Sequence, residues 1–470
     1  MNRRDFLKIM GMGAASLALP GCIRTPQITK VERPRPNIIV IMVDDMGYSG
    51  LSCYGNKYCN TPETDRLAAE GIHFTDFHSS GVVCSPTRAG LLTGRYQQRA
   101  GIEAVIHPRL EHPEHRKGLQ ESEITFAEAL REAGYATGLV GKWHLGYAAE
   151  TPKYHPLNHG FGYFVGYLSG NIDYASHYGD HNEHDWWHGR IETKEEGYTT
   201  HLINKYALQF IEENRDKPFC LYVAHEAIHE PVQGPGDPPQ RGPGRRENPT
   251  PPDVAYQRMI QAMDEGVGQI RRKIVELGLD KNTLIFFFSD NGGNGRSRTN
   301  SARYTGAKGA VWESGHHVPA IAWWPGMIKP GTVTDEMAIS IDLMPTMLAL
   351  SGASVPQGHH LDGADLSAAL FKQKRLRPRQ LFWAHLGNNG ARMEAMRDGP
   401  WKLIVTHPGA KPGTFENEKA ILYNLTDDPG EKSNVKHKHH DRTTRMLQQL
   451  KQWYAEVTRD ATCQPGGWNA

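Results

Sequence analysis

Cysteine is scarce in this chain, six in 470 residues, and none forms a CxxC pair or joins histidines at zinc-binding spacing. That excludes a structural-zinc module. Cys53 and Cys59 lie close enough to pair in an oxidising compartment, a point the sequence leaves open. An excess of charge is missing too: 53 Lys+Arg stand against 52 Asp+Glu, a net of +1. Nothing in that balance predicts binding to nucleic acid or a bulk polyanion. After the N-terminus no run is apolar and long enough to cross a membrane. What remains is a chain long enough to bury a large core and rich in histidine, with 24 residues that each need a separate argument.

The N-terminus carries Arg3-Arg4 ahead of an apolar stretch, Ile9 to Leu19, that is too short to span a bilayer. Residues 1–22 therefore read as a twin-arginine export signal, which makes the twin-arginine machinery a partner and the periplasm or cell surface the destination. Leu19-Pro20-Gly21-Cys22 looks like a lipobox, with Cys22 as candidate lipid anchor; plain cleavage near Cys22 is the alternative. Residues 23–36 are a polar, proline-bearing tether.

Beyond the tether, Asn37–Val43 is a continuous apolar run, the pattern of a strand buried on both faces, and it ends in Asp44-Asp45. The pattern recurs. A strand from Tyr135 runs into Gly141-Lys142-Trp143-His144, another from Pro218 ends at His225-Glu226-Ala227-Ile228-His229, and Thr283–Ser289 ends in Asp290-Asn291. Four strand ends thus deliver polar clusters to one edge, where open α/β sheets place their sites. The prediction is an α/β catalytic domain over 37–374, its large mixed sheet flanked by helices. A smaller α+β subdomain over 375–470 carries short strands in an antiparallel sheet and a helix from about 440. Repeated Pro and Gly over 234–252 exclude regular structure there, and the aromatic, His-rich stretch 163–188 is expected to be loop-bearing. Within it Asp173, Tyr174, His177, Asp185, Trp186 and Trp187 have the chemistry of a sugar platform, or of a packed loop with aromatic anchors.

The most specific stretch is Val83-Cys84-Ser-Pro-Thr-Arg88-Ala-Gly-Leu-Leu-Thr-Gly-Arg95. Pro86 suits a first helical turn, so Cys84 stands at a helix start, with Arg88 one turn further on. Backbone N–H groups and Arg88 make that an electropositive place for an anion or an activated nucleophile. Asp44, Asp45, Asp290 and Asn291 together offer hard oxygen ligands suited to Ca²⁺ or Mg²⁺.

Cys84-x-Pro-x-Arg88 and the run after it resemble the signature of the type I sulfatases, of the alkaline-phosphatase superfamily. Gly-Lys142-Trp-His144-Leu-Gly, Gly306-Ala-Lys308-Gly309 and Leu422-Tyr-Asn-Leu-Thr-Asp-Asp-Pro-Gly-Glu431 resemble strings of the same family. The resemblance implies an alkaline-phosphatase-type fold and hydrolysis of a sulfate ester. It also implies that a formylglycine-generating maturation enzyme oxidises Cys84 to Cα-formylglycine, whose hydrate attacks sulfur. Asp44, Asp45, Asp290 and Asn291, with the modified residue 84, would hold the cation, usually Ca²⁺. Lys142 and Lys308 would bind sulfate, Arg88 would orient the aldehyde, His144 would act as base, and His229 would serve the leaving alcohol. His225, four residues earlier, competes for that last role. The export signal and the aromatic stretch favour a sulfated carbohydrate as substrate. The alternatives are a phosphonate or phosphodiester hydrolase of the same superfamily, or a silent glycan-binding lipoprotein.

Overall fold

Runs too apolar to face water decide the architecture. The computed structural model describes residues 35–108, 112–147, 151–295, 297–355, 357–387, 392–408, 418–459 and 461–463. The export signal, Cys22 and all but the last two residues of the tether lie outside the described residues. Every residue of Asn37–Val43, Phe219–Ala224 and Thr283–Ser289 is buried. Alternate side chains go to opposite faces of the sheet, so Ile38, Val40 and Met42 enter one core and Ile39, Ile41 and Val43 another.

Five strands run parallel at the centre, in the order Thr283–Ser289, Asn37–Val43, Phe219–Ala224, Ala136–Lys142 and Tyr163–Tyr167. Ala320–Trp323 adds antiparallel on one side, followed outward by Ile72–Phe74 and Thr332–Thr334, while Trp187–His188 and Ile191–Glu192 extend the other side. The result is a ten-stranded mixed sheet between helices. Because the central strands are parallel, their C-terminal ends all emerge at one edge. On one face pack Pro62–Glu70, Thr199–Glu213 and Pro252–Glu276, and on the other Cys84–Thr93, Phe126–Glu132 and Leu343–Ser351.

Local chemistry sets the helix starts. Thr125 and Glu128 form the expected capping box. Before Pro62 the Thr61 side chain does not cap; the carboxylate of Asp264 accepts from the N–H groups of Glu63 and Thr64 in its place. Four antiparallel strands, Gln380–Leu386, Arg392–Asp398, Trp401–Thr406 and Lys419–Asn424, make the C-terminal sheet. Helix His440–Arg459 buries Met446, Leu450, Trp453 and Val457, a stripe at helical spacing, in the core of that sheet. The same core includes Val82, Tyr96, Ile339 and Ile341 of the larger part. Cys53 and Cys59 are free thiols. Among the described residues no helix is long and apolar enough to cross a membrane.

Several histidines are structural. Burial holds His78, His155, His159, His225 and His385 at about 4. In the unfolded chain each takes up a proton near pH 6.5. Between about 6.5 and 4 the unfolded state therefore binds more protons, and stability falls as the pH falls through that window. The urea midpoint is expected to drop steadily from pH 7 to pH 4; a flat profile would contradict this account.

Candidate active site

The sheet edge gathers all ten of the predicted site residues into one cluster. Asp44 and Asp45 follow Val43, and Asp290 and Asn291 follow Ser289, on neighbouring parallel strands. Lys142 closes the strand Ala136–Lys142, His144 stands just beyond, and His229 lies five residues past Ala224. The helix Cys84–Thr93 brings up its first residue beneath them, with all ten of its residues buried. Cys84 Sγ is 3.4 Å from Asp44 Oδ1 and 3.5 Å from Lys308 Nζ.

A fully buried Arg88 is the pivot. Its guanidinium donates to Asp44 Oδ2 at 3.1 Å, to Asp290 Oδ2 at 3.2 Å and to the Lys142 carbonyl at 2.9 Å. Lys142 Nζ also pairs with Asp44 Oδ2. Lys308 Nζ meets Asp45 Oδ1 at 2.6 Å, and His229 Nε2 faces Asp45 Oδ2 at 3.8 Å. Arg88 thus holds the carboxylates of Asp44 and Asp290, and Lys308 reaches position 84.

Charge is tightly balanced here. Burial alone would push the Asp44 carboxyl up, but Lys142, His229 and Arg88 outweigh it and hold it below the usual range. Asp290, equally buried and beside Asp44, is pushed well up. Burial and Asp44 would also raise the Cys84 thiol; Lys142, Lys308 and His229 overcome them and lower it.

The donor set fits a hard divalent cation. It consists of three carboxylates and one amide oxygen, and Asn291 Oδ1 is buried with no hydrogen-bond partner while Nδ2 donates to Asp45 at 2.8 Å. Asp44, Asp45, Cys84 and His229 place ligand atoms within 4.8 Å of one another.

The two site histidines are prepared differently. His144 Nε2 donates to the Ile106 carbonyl at 3.0 Å, Nδ1 is buried without a partner, and burial with Lys142 nearby holds the ring well below its ordinary pKa. It is a neutral ring with an open acceptor. His229 Nδ1 donates to the Glu230 carbonyl at 2.7 Å; burial and Lys308 oppose its charge, but Asp45 and Asp44 prevail and raise its pKa. Of the two rings this is the more basic. Asp45 (φ 60°) and His144 (φ 53°) both adopt left-handed backbone, a cost of about 1–3 kcal/mol each that is met at functional sites. Gly170 is needed beside His144, because a Cβ there would come within 2.8 Å of the imidazole.

These side chains open on a cavity of about 210 Å³ whose lining includes Cys84, His144, His229 and Lys308 together with Asn171, Asp180 and Glu183. The last three were not singled out in the sequence, since they lie in the aperiodic stretch after Tyr167. His225 does not join the cluster; it is fully buried and both ring nitrogens lack partners. Of the two readings of the aromatic stretch, the packed loop with aromatic anchors is the one the structure shows. Asp173, Tyr174, His177 and Trp186 are wholly buried and Asp185 nearly so, and among the rings only Trp187 is partly exposed. Faces packed inside the protein cannot stack on a sugar. Tyr174 serves the site from behind, its hydroxyl donating to the His229 carbonyl at 2.9 Å.

The family model described as Sulfatase matches residues 36–353. The chain belongs to the sulfatase family. A second model, N-sulphoglucosamine sulphohydrolase, C-terminal, matches residues 307–459 of this sulfatase. Arylsulfatase A of Homo sapiens is 33% identical over 471 residues, covering 90% of this chain and 87% of that protein. N-acetylgalactosamine-6-sulfatase of Mus musculus is 34% identical over 441 residues, covering 84% and 81%. The crystal structure of Ps i-CgsB in complex with k-i-k-neocarrahexaose superposes with a TM-score of 0.79 at 28% identity, covering 92% of this chain and 95% of that one. The protein is a sulfuric ester hydrolase of the alkaline-phosphatase superfamily.

Proposed function

We propose that this sulfatase removes sulfate from a carbohydrate, with Cys84 converted to Cα-formylglycine and Ca²⁺ held by Asp44, Asp45, Asp290, Asn291 and the modified residue. The observation that carries the reading is the cavity itself, where Lys308 stands 3.5 Å from Cys84 Sγ and the lining combines Ser169, Asn171, Asp180 and Glu183 with Val105, Pro108 and Tyr147. Such a mixed lining offers hydrogen-bonding groups for sugar hydroxyls and an aromatic and apolar surface for the ring face. Relatives named for N-acetylgalactosamine 6-sulfate and crystallised with a neocarrahexaose support it.

When present, the hydrated aldehyde supplies a geminal diol as nucleophile, and the cation supplies Lewis acidity beside it. The chain does the rest. Lys142 and Lys308 neutralise the sulfate oxygens, so that an anionic ester can be attacked. Arg88, locked onto Asp44 and Asp290, fixes the acidic ligands relative to position 84. His229 hands its proton to the departing alcohol oxygen, and His144, through its open Nδ1, takes one up. Arg3-Arg4 and Leu19–Cys22 support export by the twin-arginine machinery to the periplasm or cell surface, with Cys22 as lipid anchor. The Cys84-x-Pro-x-Arg88 string supports modification by the formylglycine-generating enzyme.

Protein whose conversion at Cys84 is verified by mass spectrometry is expected to release sulfate from sulfated sugars and to leave aryl phosphodiesters largely untouched. Stripping with chelator stops release. Restoring Ca²⁺ at a hundredfold its Kd recovers activity and stabilises the fold by about 2.7 kcal/mol. Faster cleavage of the phosphodiester, or full activity after chelation, would sink the reading.

A further inference from the structure

A second cleft adjoins the catalytic cavity. It measures about 530 Å³ and is lined by Asp180, Asn182, Glu230, Gln240, Arg241 and Arg245, with Pro231 and Val232 as its main apolar surface. Asp180 lines both spaces. The dividing wall is a polar lattice: Arg241 donates to Asn171 Oδ1 at 2.5 Å and pairs with Asp180 Oδ1 at 2.8 Å, and Asn171 Nδ2 donates to Asp180 Oδ2 at 3.3 Å. Glu230, on the outer side, is bonded through its carbonyl to the ring of His229 on the inner side. A substrate with its sulfate against Lys308 and its bridging oxygen near His229 would therefore extend toward this outer space.

The cleft is preformed. Its proline-rich wall is fastened to the loop after Tyr167 by the wholly buried Asp173, which accepts from the N–H groups of Gln240 at 2.6 Å and Arg241 at 3.0 Å. Ser176 Oγ donates to the Arg241 carbonyl at 2.9 Å, and the Gly242 N–H donates to Asn182 Oδ1 at 3.0 Å. A pocket already held open spends no binding energy on ordering its walls. Arg245 sits on a turn closed by its N–H to the Gly242 carbonyl at 3.3 Å, and its exposed guanidinium has no ion-pair partner among the described residues. Size points the same way. At about 210 Å³ the inner cavity is below the ~300 Å³ at which small-molecule sites begin, so the two spaces together make a site of ordinary size.

We propose that the outer cleft is a subsite for the sugar residue adjoining the sulfated one, so that this enzyme acts on sulfate carried by a disaccharide or longer chain and not by a free monosaccharide. Arg245 donates to the neighbour's oxygen substituents. Aryl and steroid leaving groups are disfavoured, because they would strip water from Glu230 and Arg245 without replacing its hydrogen bonds. The inference rests on the carbohydrate reading above.

The test uses the full-length converted enzyme and its Arg245→Ala and Arg245→Lys variants. Substrates are N-acetylgalactosamine 6-sulfate free and at the end of a di- and a tetrasaccharide, neocarra-oligosaccharides of two to six residues, and an aryl sulfate as reference. Wild type is expected to gain at least about tenfold in kcat/KM from the shortest sugar to the longer ones, the scale of one hydrogen bond to a charged group. Arg245→Ala should lose most of that gain through KM, with kcat and the aryl sulfate rate unchanged, and Arg245→Lys should recover part of it. Equal rates on short and long sugars in wild type, or an equal loss on every substrate in Arg245→Ala, would overturn the subsite. Cleavage of the aryl sulfate but of no sugar would overturn the carbohydrate reading itself and the subsite with it.

Discussion

Cys84→Ala is expected to lower sulfate release by about 10⁴- to 10⁶-fold, the loss that follows removal of a nucleophile acting in concert with its neighbours. The argument is chemical and local. Cys84 is the first residue of a wholly buried helix, 3.4 Å from Asp44 and 3.5 Å from Lys308, and it is the one cysteine among the described residues that line the cavity. Protein that keeps the thiol should be nearly as inactive. A thiol offers one heteroatom, whereas a hydrated aldehyde offers two hydroxyls, one to attack sulfur and one to help sulfate depart. Residual activity of a partly converted preparation should track the formylglycine fraction at position 84, read by mass spectrometry. Sulfate release by the alanine variant within about tenfold of wild type would refute the assignment. Unfolding should distinguish chemistry from folding, since removing one sulfur atom at this position costs about 1 kcal/mol and leaves the protein folded.

Much of this site was legible because its residues stand next to strong local signals. Asp44, Lys142 and Asp290 sit at the ends of apolar strands, and Cys84 begins a helix marked by Pro86; parallel pairing of the strands then dictates that these ends converge. The other half of the pocket carries no such signal. Asn171, Asp180, Glu183 and Arg241 come from segments without periodicity, and their placement depends on long-range bonds such as Asp173 to Gln240 and Arg241. Composition leaves two readings open there. Tyr174 and Trp186 look like sugar-stacking rings, but aromatic side chains in a long loop gain more from burial, and these two anchor the loop from inside. Pro231, two residues after His229, was the one local signal that favoured His229 over His225, and the geometry follows it: the chain turns after Ala224, His225 is fully buried, and His229 faces Asp45.

The C-terminal sheet should prove to be part of the catalytic machinery, and Lys402→Met is the variant that would reveal it. Lys402 lies on the strand Trp401–Thr406 and is completely buried, with Nζ 2.8 Å from Glu313, 2.9 Å from Glu431 and 3.0 Å from His316 Nε2. Glu431 Oε2 accepts from the Glu313 N–H at 2.8 Å, and the Thr305 hydroxyl donates to the Gly430 carbonyl at 2.5 Å and accepts from Lys432 Nζ at 2.8 Å. The segment 305–315, which carries Lys308, is thereby clamped from the C-terminal side. Its other flank meets the turn after Asp290-Asn291, through the Lys308 N–H on the Gly293 carbonyl at 3.0 Å, and the cysteine helix, through the Gly309 N–H on the Val82 carbonyl at 2.8 Å. Gly292 permits this approach, since a Cβ there would come within 1.8 Å of the Ser314 carbonyl oxygen. Removing the ammonium leaves two buried carboxylates facing each other, which costs about 3–5 kcal/mol. Glu313 is held ionised mainly by Lys402, with Arg397 and His317 beside it, against the effect of burial, so losing Lys402 moves the pair toward taking up a proton. We expect lower thermal stability together with a KM that rises more than kcat falls, as Lys308 loses its fixed position over the sulfate. Adding Glu313→Gln and Glu431→Gln to Lys402→Met removes the stranded charges and should restore most of the stability. It should restore less of the KM, because the clamp on the lysine-bearing segment is still slack. A Lys402→Met protein as stable and as tight-binding as wild type would show that the two parts of the chain merely touch.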